Sequence, residues 1–114
     1  SLIEKKSKPS ILDKQPLDIE IPQRVYCSND LSDDGTVIEV QAKDRLGLLF
    51  DIFFVLQTLG VEVISSRVST QAGAAIDRFQ IVEPATGEKV KDPDKLKMIE
   101  QQVKACLDLA PRSV

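Results

Sequence analysis

The period of the apolar residues changes abruptly near residue 43, and this change limits the folds open to the chain. In TVIEVQA (36–42) apolar side chains alternate, with Ile38, Val40 and Ala42 on one face, which predicts a half-buried β-strand. From residue 47 to residue 59 they recur every three or four positions, which predicts an amphipathic helix of about 13 residues. A strand is therefore expected to run almost directly into a helix.

Three further segments have the composition of strands. QRVYCS (23–28) is followed by the turn residues NDLSDDG (29–35), so it is expected to form an antiparallel hairpin with 36–42. VEVISSRVST (61–70) is rich in β-branched residues. After the turn QAG at 71–73, AAIDRFQIV (74–82) is the last predicted strand, with Phe79 and Ile81 facing inward.

The strand at 61–70 changes its parity halfway along. Its inward-facing candidates are at odd positions in the first half, Val61 and Val63, and at even positions in the second half, Ser66 and Val68. We therefore expect a bulge near Ile64 and Ser65, since one extra residue restores the alternation. The bulge would turn two pairs inward: Val61 with Val63, and Ser66 with Val68.

A second helix is predicted after the polar loop at 83–90. Asp92 can serve as its N-cap and Pro93 as its first residue. Apolar residues then follow at helical spacing, with Cys106 at a core position, until Pro111 ends the helix.

The order ββαββα predicts an α+β fold, a ferredoxin-like two-layer sandwich with a four-stranded antiparallel sheet and two helices on one face. Segment 23–28 is expected to take the edge position that the last strand occupies in a βαββαβ sheet. Residues 23–110 then form the domain. Residues 1–22, with charges of both signs and several prolines, are predicted to be a flexible linker or tail, and 111–114 a C-terminal tail.

Composition counts against several classes of function. With 15 basic and 18 acidic residues the chain is acidic, unlike most nucleic-acid binders. No apolar run approaches the ~20 residues of a membrane span. The two cysteines lie far apart, which indicates reduced thiols and no zinc site, and no other cofactor is expected. The absence of histidine removes the usual general base but leaves Asp, Glu, Lys and Cys. Because the sequence shows no nucleophile–base pair or metal cluster either, the domain is not expected to be an enzyme.

The segment DRLGLL (44–49), between the first long strand and the first helix, is a candidate anion site. The first turn of a helix leaves amide N–H groups without intrahelical acceptors, and Gly47 would let a small molecule approach them. Asp44 could accept a hydrogen bond from an ammonium group, so the segment could clamp a zwitterion. The alternative is purely structural: Asp44 caps the helix, Arg45 is a solvated charge, and Gly47 only permits close packing.

The sequence also resembles ACT domains, and the similarity extends over about 23–108. It is carried by TVIEVQAKDRLGLLFDI (36–52), SSRVSTQAGAAIDRFQIV (65–82) and GEKVKDPDKL (87–96). The resemblance is closest to the C-terminal ACT domains of bacterial protein-PII uridylyltransferases and to plant ACT-repeat proteins.

This resemblance implies a non-catalytic regulatory domain of a larger protein that senses an amino acid or similar metabolite, with a glutamine-like nitrogen signal favoured. It also implies a homodimer or tandem ACT pairing, a nitrogen-metabolism enzyme as a possible partner, and a location in the cytoplasm or plastid stroma. The ligand would lie at the first strand–helix junction, often across a dimer interface. The implied ligand-binding residues are Asp44, Arg45, Leu46, Gly47, Leu48, Leu49, Glu62 and Val63.

Two residues depart from the pattern of amino-acid-binding relatives, with Glu62 where many have Asn and Leu46 where Pro is common. In addition, Phe50 and Phe54 fall outside the buried stripe of the first helix. These features leave open an alternative, a dimerisation or protein-interaction module with an empty ligand site. Asp77 and the adjacent Arg78 are interpreted as a strand-end ion pair or a loop anchor.

Overall fold

The computed structural model of the chain describes residues 21–109. The predicted ββαββα order is confirmed, with two helices packed on a four-stranded antiparallel sheet. The elements are β1 (Arg24–Ser28), β2 (Thr36–Lys43), α1 (Leu48–Thr58), β3 (Glu62–Gln71), β4 (Ala74–Val82) and α2 (Pro93–Cys106). The predicted tails fall almost wholly on 1–20 and 110–114, which lie outside the described residues.

The sheet order is β1-β2-β4-β3, so β1 occupies the predicted edge beside β2. Val25 pairs with Val40, and Cys27 pairs with Ile38. On the other side β2 pairs with β4, and Ile38 lies opposite Phe79. The short hairpin strand thus closes the edge that the last strand of a ferredoxin-like sheet would cover.

The core lies between the sheet and the two helices. Ile38 and Phe79 of the sheet are fully buried, as are Ile52 of α1 and Ile99 of α2. The ring of Phe53 meets that of Phe79 edge to face, with centroids 5.4 Å apart. Each such buried side chain contributes about 1.5–3 kcal/mol to the stability of the fold relative to leaving it exposed. The alternating apolar residues of the strands and the helically spaced apolar residues of α1 and α2 therefore hold the two layers together.

The bulge predicted in β3 is confirmed, because the register with β4 shifts between Val63 and Ser65. The prediction that Ser66 and Val68 face inward is also confirmed, although the two side chains are not buried. Both pair with inward-facing residues of β4 and thus lie on the helix side of the sheet, yet both are exposed. The reason is that β3 is the outer strand, and most of its length lies beyond the cover of the helices.

Both helices are shorter than predicted. α1 has 11 residues and begins at Leu48 rather than at Gly47. α2 ends at Cys106, before the position that Pro111 led us to expect, because the chain tightens into a turn. The amides of Leu107 and Asp108 donate to carbonyl oxygens three residues earlier, a common way for a helix to end.

The two cysteines are free, as expected from their separation. Burial, followed by the neighbouring Glu100 carboxylate, raises the pKa of Cys27 to about 12. Burial also raises the pKa of Cys106. Both thiols are therefore protonated at neutral pH and are poor nucleophiles. Within residues 21–109, neither helix has the length and apolar character needed to cross a membrane.

Candidate functional site

The junction between β2 and α1 is fixed by the adjacent β3–β4 hairpin. Lys43, the last residue of β2, pairs with Ala74, and the Asp44 amide donates to the carbonyl oxygen of Gly73 at 3.0 Å. The chain then turns at Gly47, the N-cap of α1, which has φ 83° and ψ 0°. This left-handed conformation strains any residue with a side chain, so the turn itself requires glycine.

No side chain caps α1. The hypothesis that Asp44 caps this helix is therefore wrong. The Leu48 amide donates to the carbonyl oxygen of Arg45 at 3.2 Å, whereas the Leu49 amide has no acceptor within residues 21–109. The helix therefore begins with an available donor at the positive end of its dipole.

A pocket of about 490 Å³ lies beside this helix start. Its volume falls in the range of about 300–1,000 Å³ that is usual for small-molecule sites. Its wall is largely apolar, and the two carboxylates that line it belong to Asp44 and Asp77. The lining residues are Asp44, Arg45, Leu46, Gly47, Leu48, Leu49, Phe50, Val68, Thr70, Ala75 and Asp77. The six predicted residues 44–49 thus meet around one cavity.

Arg45 is not the solvated charge of the structural alternative. Its Nη2 atom lies 2.9 Å from Oδ2 of Asp51, and the two side chains are only 11% and 4% exposed. The same nitrogen donates to the carbonyl oxygen of Cys106, the last residue of α2, at 2.9 Å. A cation at a helix C-terminus is favourable, so Arg45 joins the start of α1 to the end of α2. Its charge is already neutralised by Asp51 at the pocket wall.

Asp77 is the ionisable residue among the five lining residues that the sequence interpretation did not place at the site. It is 2% exposed, and its Oδ1 atom is buried without a hydrogen-bond partner within the described residues. Burial, followed by the charge of Asp44, raises its pKa from 3.8 to about 6. The predicted strand-end ion pair is wrong for Asp77, since Arg78 points to the opposite face and pairs with Glu39 of β2. The sequence did contain a signal for this role, since Asp77 places a carboxylate on the same inward-facing side of the strand as Phe79.

Glu62 and Val63 do not reach this pocket within one chain. Glu62 pairs with Val82 at the far end of the sheet, whereas the pocket contacts β3 at Val68 and Thr70. Val68 lies six positions after Glu62 along the strand, which corresponds to about 20 Å. The eight predicted site residues therefore divide into a cluster of six and a distant pair.

Comparison with known proteins supports the family that the sequence resembles. A family of ACT-like domains, described as the ACR9-like, ACT-like domain, matches residues 24–112. The chain belongs to the ACT-like domain family. It is therefore an ACT-like regulatory domain, and the match extends over all six structural elements.

Several curated proteins contain a region similar to this ACT-like domain. The bifunctional uridylyltransferase/uridylyl-removing enzymes of Gluconobacter oxydans and Azospirillum brasilense are 37% identical over 93 residues and 39% identical over 83. These matches cover 82% and 73% of this chain but only 10% and 9% of those enzymes. The ACT domain-containing protein ACR6 of Arabidopsis thaliana is 29% identical over 74% of the chain and 19% of its own length.

The ACT-like domain thus spans about a tenth of the uridylyltransferases and a fifth of the plant protein. No solved structure gave a significant match to the chain.

Proposed function

We propose that this ACT-like domain is a non-catalytic sensor that binds a free α-amino acid in the β2–α1 pocket, with glutamine or a glutamine-like nitrogen signal as the favoured ligand. The observation that carries the proposal is the uncapped start of α1 beside a pocket of about 490 Å³. The ligand carboxylate binds the Leu49 amide at the positive end of the helix dipole. Its ammonium group binds the exposed carboxylate of Asp44.

The apolar wall accommodates the remainder of the ligand. Leu46 and Val68 are 61% and 51% exposed, so this side of the pocket is open for a molecule to enter. Glu62 and Val63 take part only if a second copy places its β3 strand beside the first pocket. A homodimer or a tandem pair of ACT domains would supply that contact. We propose that the domain pairs in one of these two ways.

The relatives supply the metabolic context. The uridylyltransferases are enzymes by name, and the region similar to this chain is a small part of each. We propose that this domain regulates a larger protein in the cytoplasm or the plastid stroma and that its partner is an enzyme of nitrogen metabolism. The two protonated thiols support a non-catalytic role for the domain itself.

A screen of thermal stability against the common amino acids tests the proposal. A ligand present at 100 times its dissociation constant adds about 2.7 kcal/mol to the free energy of unfolding. We expect one or a few amino acids at millimolar concentration, glutamine among them, to raise the melting temperature. A screen in which no amino acid raises it would refute the sensor function.

Gly47→Ala and Gly87→Ala form a matched pair for this screen. Both glycines have positive φ angles, 83° and 71°, so both substitutions introduce similar backbone strain. Only Gly47 lines the pocket, since Gly87 lies in the loop between β4 and α2 with open space around it. We expect both variants to lose about 1–2 kcal/mol of stability and only Gly47→Ala to lose the response to the amino acid.

The second candidate function is a dimerisation or protein-interaction module with an empty site. It is favoured by the exposed rings of Phe50 and Phe54, which are 59% and 60% exposed and stack with centroids 6.4 Å apart. The outer strand β3 also leaves the apolar side chain of Val68 uncovered. Two adjacent exposed aromatic rings are typical of interaction surfaces.

Light scattering with and without amino acids distinguishes the two candidates. The interaction module predicts a stable dimer whose mass is independent of amino acids and falls to that of the monomer in a Phe50→Ser/Phe54→Ser variant. If that variant kept the mass of the dimer, these two rings would not be part of the interface.

A further inference from the structure

Asp77 is a buried carboxylate that the clamp described above does not use. It lies on the helix side of β4, between Val40 of β2 and Val68 of β3. Neither neighbour can donate a hydrogen bond from its side chain. Asp77 also lines the pocket, and its Oδ1 atom is buried without a partner within residues 21–109.

The charges around the pocket leave Asp77 uncompensated. Arg45, the cationic residue of the lining, is held 2.9 Å from Asp51 and donates to the carbonyl oxygen of Cys106. Asp44 adds a second negative charge, and its proximity contributes to the raised pKa of Asp77. The pocket therefore has an excess of negative charge near its wall on β4.

A buried carboxylate without a partner is costly, and almost all buried polar atoms in proteins have a hydrogen-bond partner. A ligand ammonium group would supply both a hydrogen-bond donor and the opposite charge. A second carboxylate on the ligand would instead face two like charges in a partly desolvated site, where Coulomb repulsion is strong.

We propose that Asp77 is the specificity-determining residue of the pocket: it receives the ammonium group of the ligand together with Asp44, and it selects amino acids with neutral or cationic side chains against dicarboxylic ones. This inference rests on the proposed amino-acid site and adds the charge class of its ligand. Under it, glutamine is accepted and glutamate, which has nearly the same shape, is rejected because of its side-chain charge.

Calorimetric titration of the domain at pH 7.5 tests the inference. The probes are glutamine and glutamate, asparagine and aspartate, any other amino acid that raises the melting temperature, and 4-carbamoylbutanoate, which is glutamine without its ammonium group. The variants are Asp77→Asn, which keeps the shape and removes the charge, and Asp34→Asn, which makes the same change at an exposed position between β1 and β2.

We expect the unsubstituted domain to bind an amide at least about tenfold more tightly than the matching acid, and to show no binding of 4-carbamoylbutanoate. Asp77→Asn should weaken binding of the preferred amino acid about tenfold or more and reduce its preference over the acid. Asp34→Asn should leave both affinities unchanged.

The two levels of the proposal fail in different ways. If an amino acid binds and Asp77→Asn changes neither its affinity nor the preference, the role of Asp77 is refuted and the sensor function stands. The same conclusion follows if glutamate binds as tightly as glutamine. If no amino acid binds the unsubstituted domain, the sensor function is refuted, and the role of Asp77 with it.

Discussion

The two helices of this domain begin in different ways. At α2 the side chain of Asp92 accepts a hydrogen bond from the Asp94 amide at 3.0 Å, and Pro93 follows at a position where no amide donor is needed. At α1 the corresponding position is Gly47 in a left-handed conformation, without a side-chain cap. The start of α2 is therefore capped by a side chain of its own sequence, whereas the start of α1 leaves an amide donor available beside a pocket.

The difference indicates what each start is for. A capped start contributes about 1 kcal/mol to stability, whereas an uncapped start forgoes that contribution. At α1 the chain adds further unfavourable features, since a buried carboxylate of Asp77 lies close to the exposed charge of Asp44. Unfavourable features collected at one place are typical of binding sites rather than of structural turns.

The largest expected effect comes from Arg45, which holds the uncapped start in place of a cap. Arg45→Ala removes the ion pair with the 4%-exposed Asp51 and the hydrogen bond to the Cys106 carbonyl. Breaking a buried ion pair from one side typically costs about 3–5 kcal/mol. We expect a loss of this order in chemical denaturation experiments.

Arg67→Ala is the matched control, because Arg67 is exposed on the outer strand β3. Its removal should change the free energy of unfolding by no more than about 0.5 kcal/mol. Equal effects of the two substitutions would show that Arg45 does not hold the start of α1.

The second prediction concerns the pH dependence of stability. Because the pKa of Asp77 rises from 3.8 to about 6 on folding, the folded domain binds this proton more tightly than the unfolded chain. The resulting stability is fully present below about pH 4 and is lost as the pH rises through about 6. The pKa difference corresponds to about 3 kcal/mol of the free energy of unfolding.

Asp77→Asn should therefore be more stable than the unsubstituted domain at pH 7.5, by at most about 3 kcal/mol, and should lose this decline between pH 4 and 6. The other charged residues of the pocket are Asp44, which is exposed, and Arg45, which is paired. Denaturation of both proteins across this pH range is the measurement. Parallel pH profiles would show that Asp77 does not titrate there.

The smallest expected effect is at the capped start. Asp92→Ala should lower the free energy of unfolding by about 1 kcal/mol through loss of the bond to the Asp94 amide. It should leave the response to amino acids unchanged, since α2 begins outside the pocket. Loss of ligand response in this variant would contradict the division of roles between the two helix starts.

Features encoded by short stretches of sequence were predicted well. The cap at Asp92, the bulge after Val63 and the edge position of β1 each follow from local residue types, alternation or chain order. The six junction residues 44–49 were also found to line one pocket, because they are consecutive in the chain.

Features that depend on contacts between distant residues were not predicted. Arg45 pairs with Asp51 and reaches Cys106, which is 61 residues away, and no local pattern specifies that contact. Asp77 enters the pocket because β4 lies beside β2, and its missing partner is visible only once the neighbouring strands are placed. The exposure of Val68 likewise depends on which part of the sheet the helices cover, and the sequence does not specify this locally.

The central claim is that the uncapped start of α1 is an amino-acid site, and amide chemical shifts of the ¹⁵N-labelled domain test it most directly. Titration with glutamine, and then with the other common amino acids, should shift the Leu49 amide and its neighbours in the pocket, while the Asp94 amide at the start of α2 stays unchanged. Saturating shifts centred elsewhere, or no shifts with any amino acid, would contradict the account.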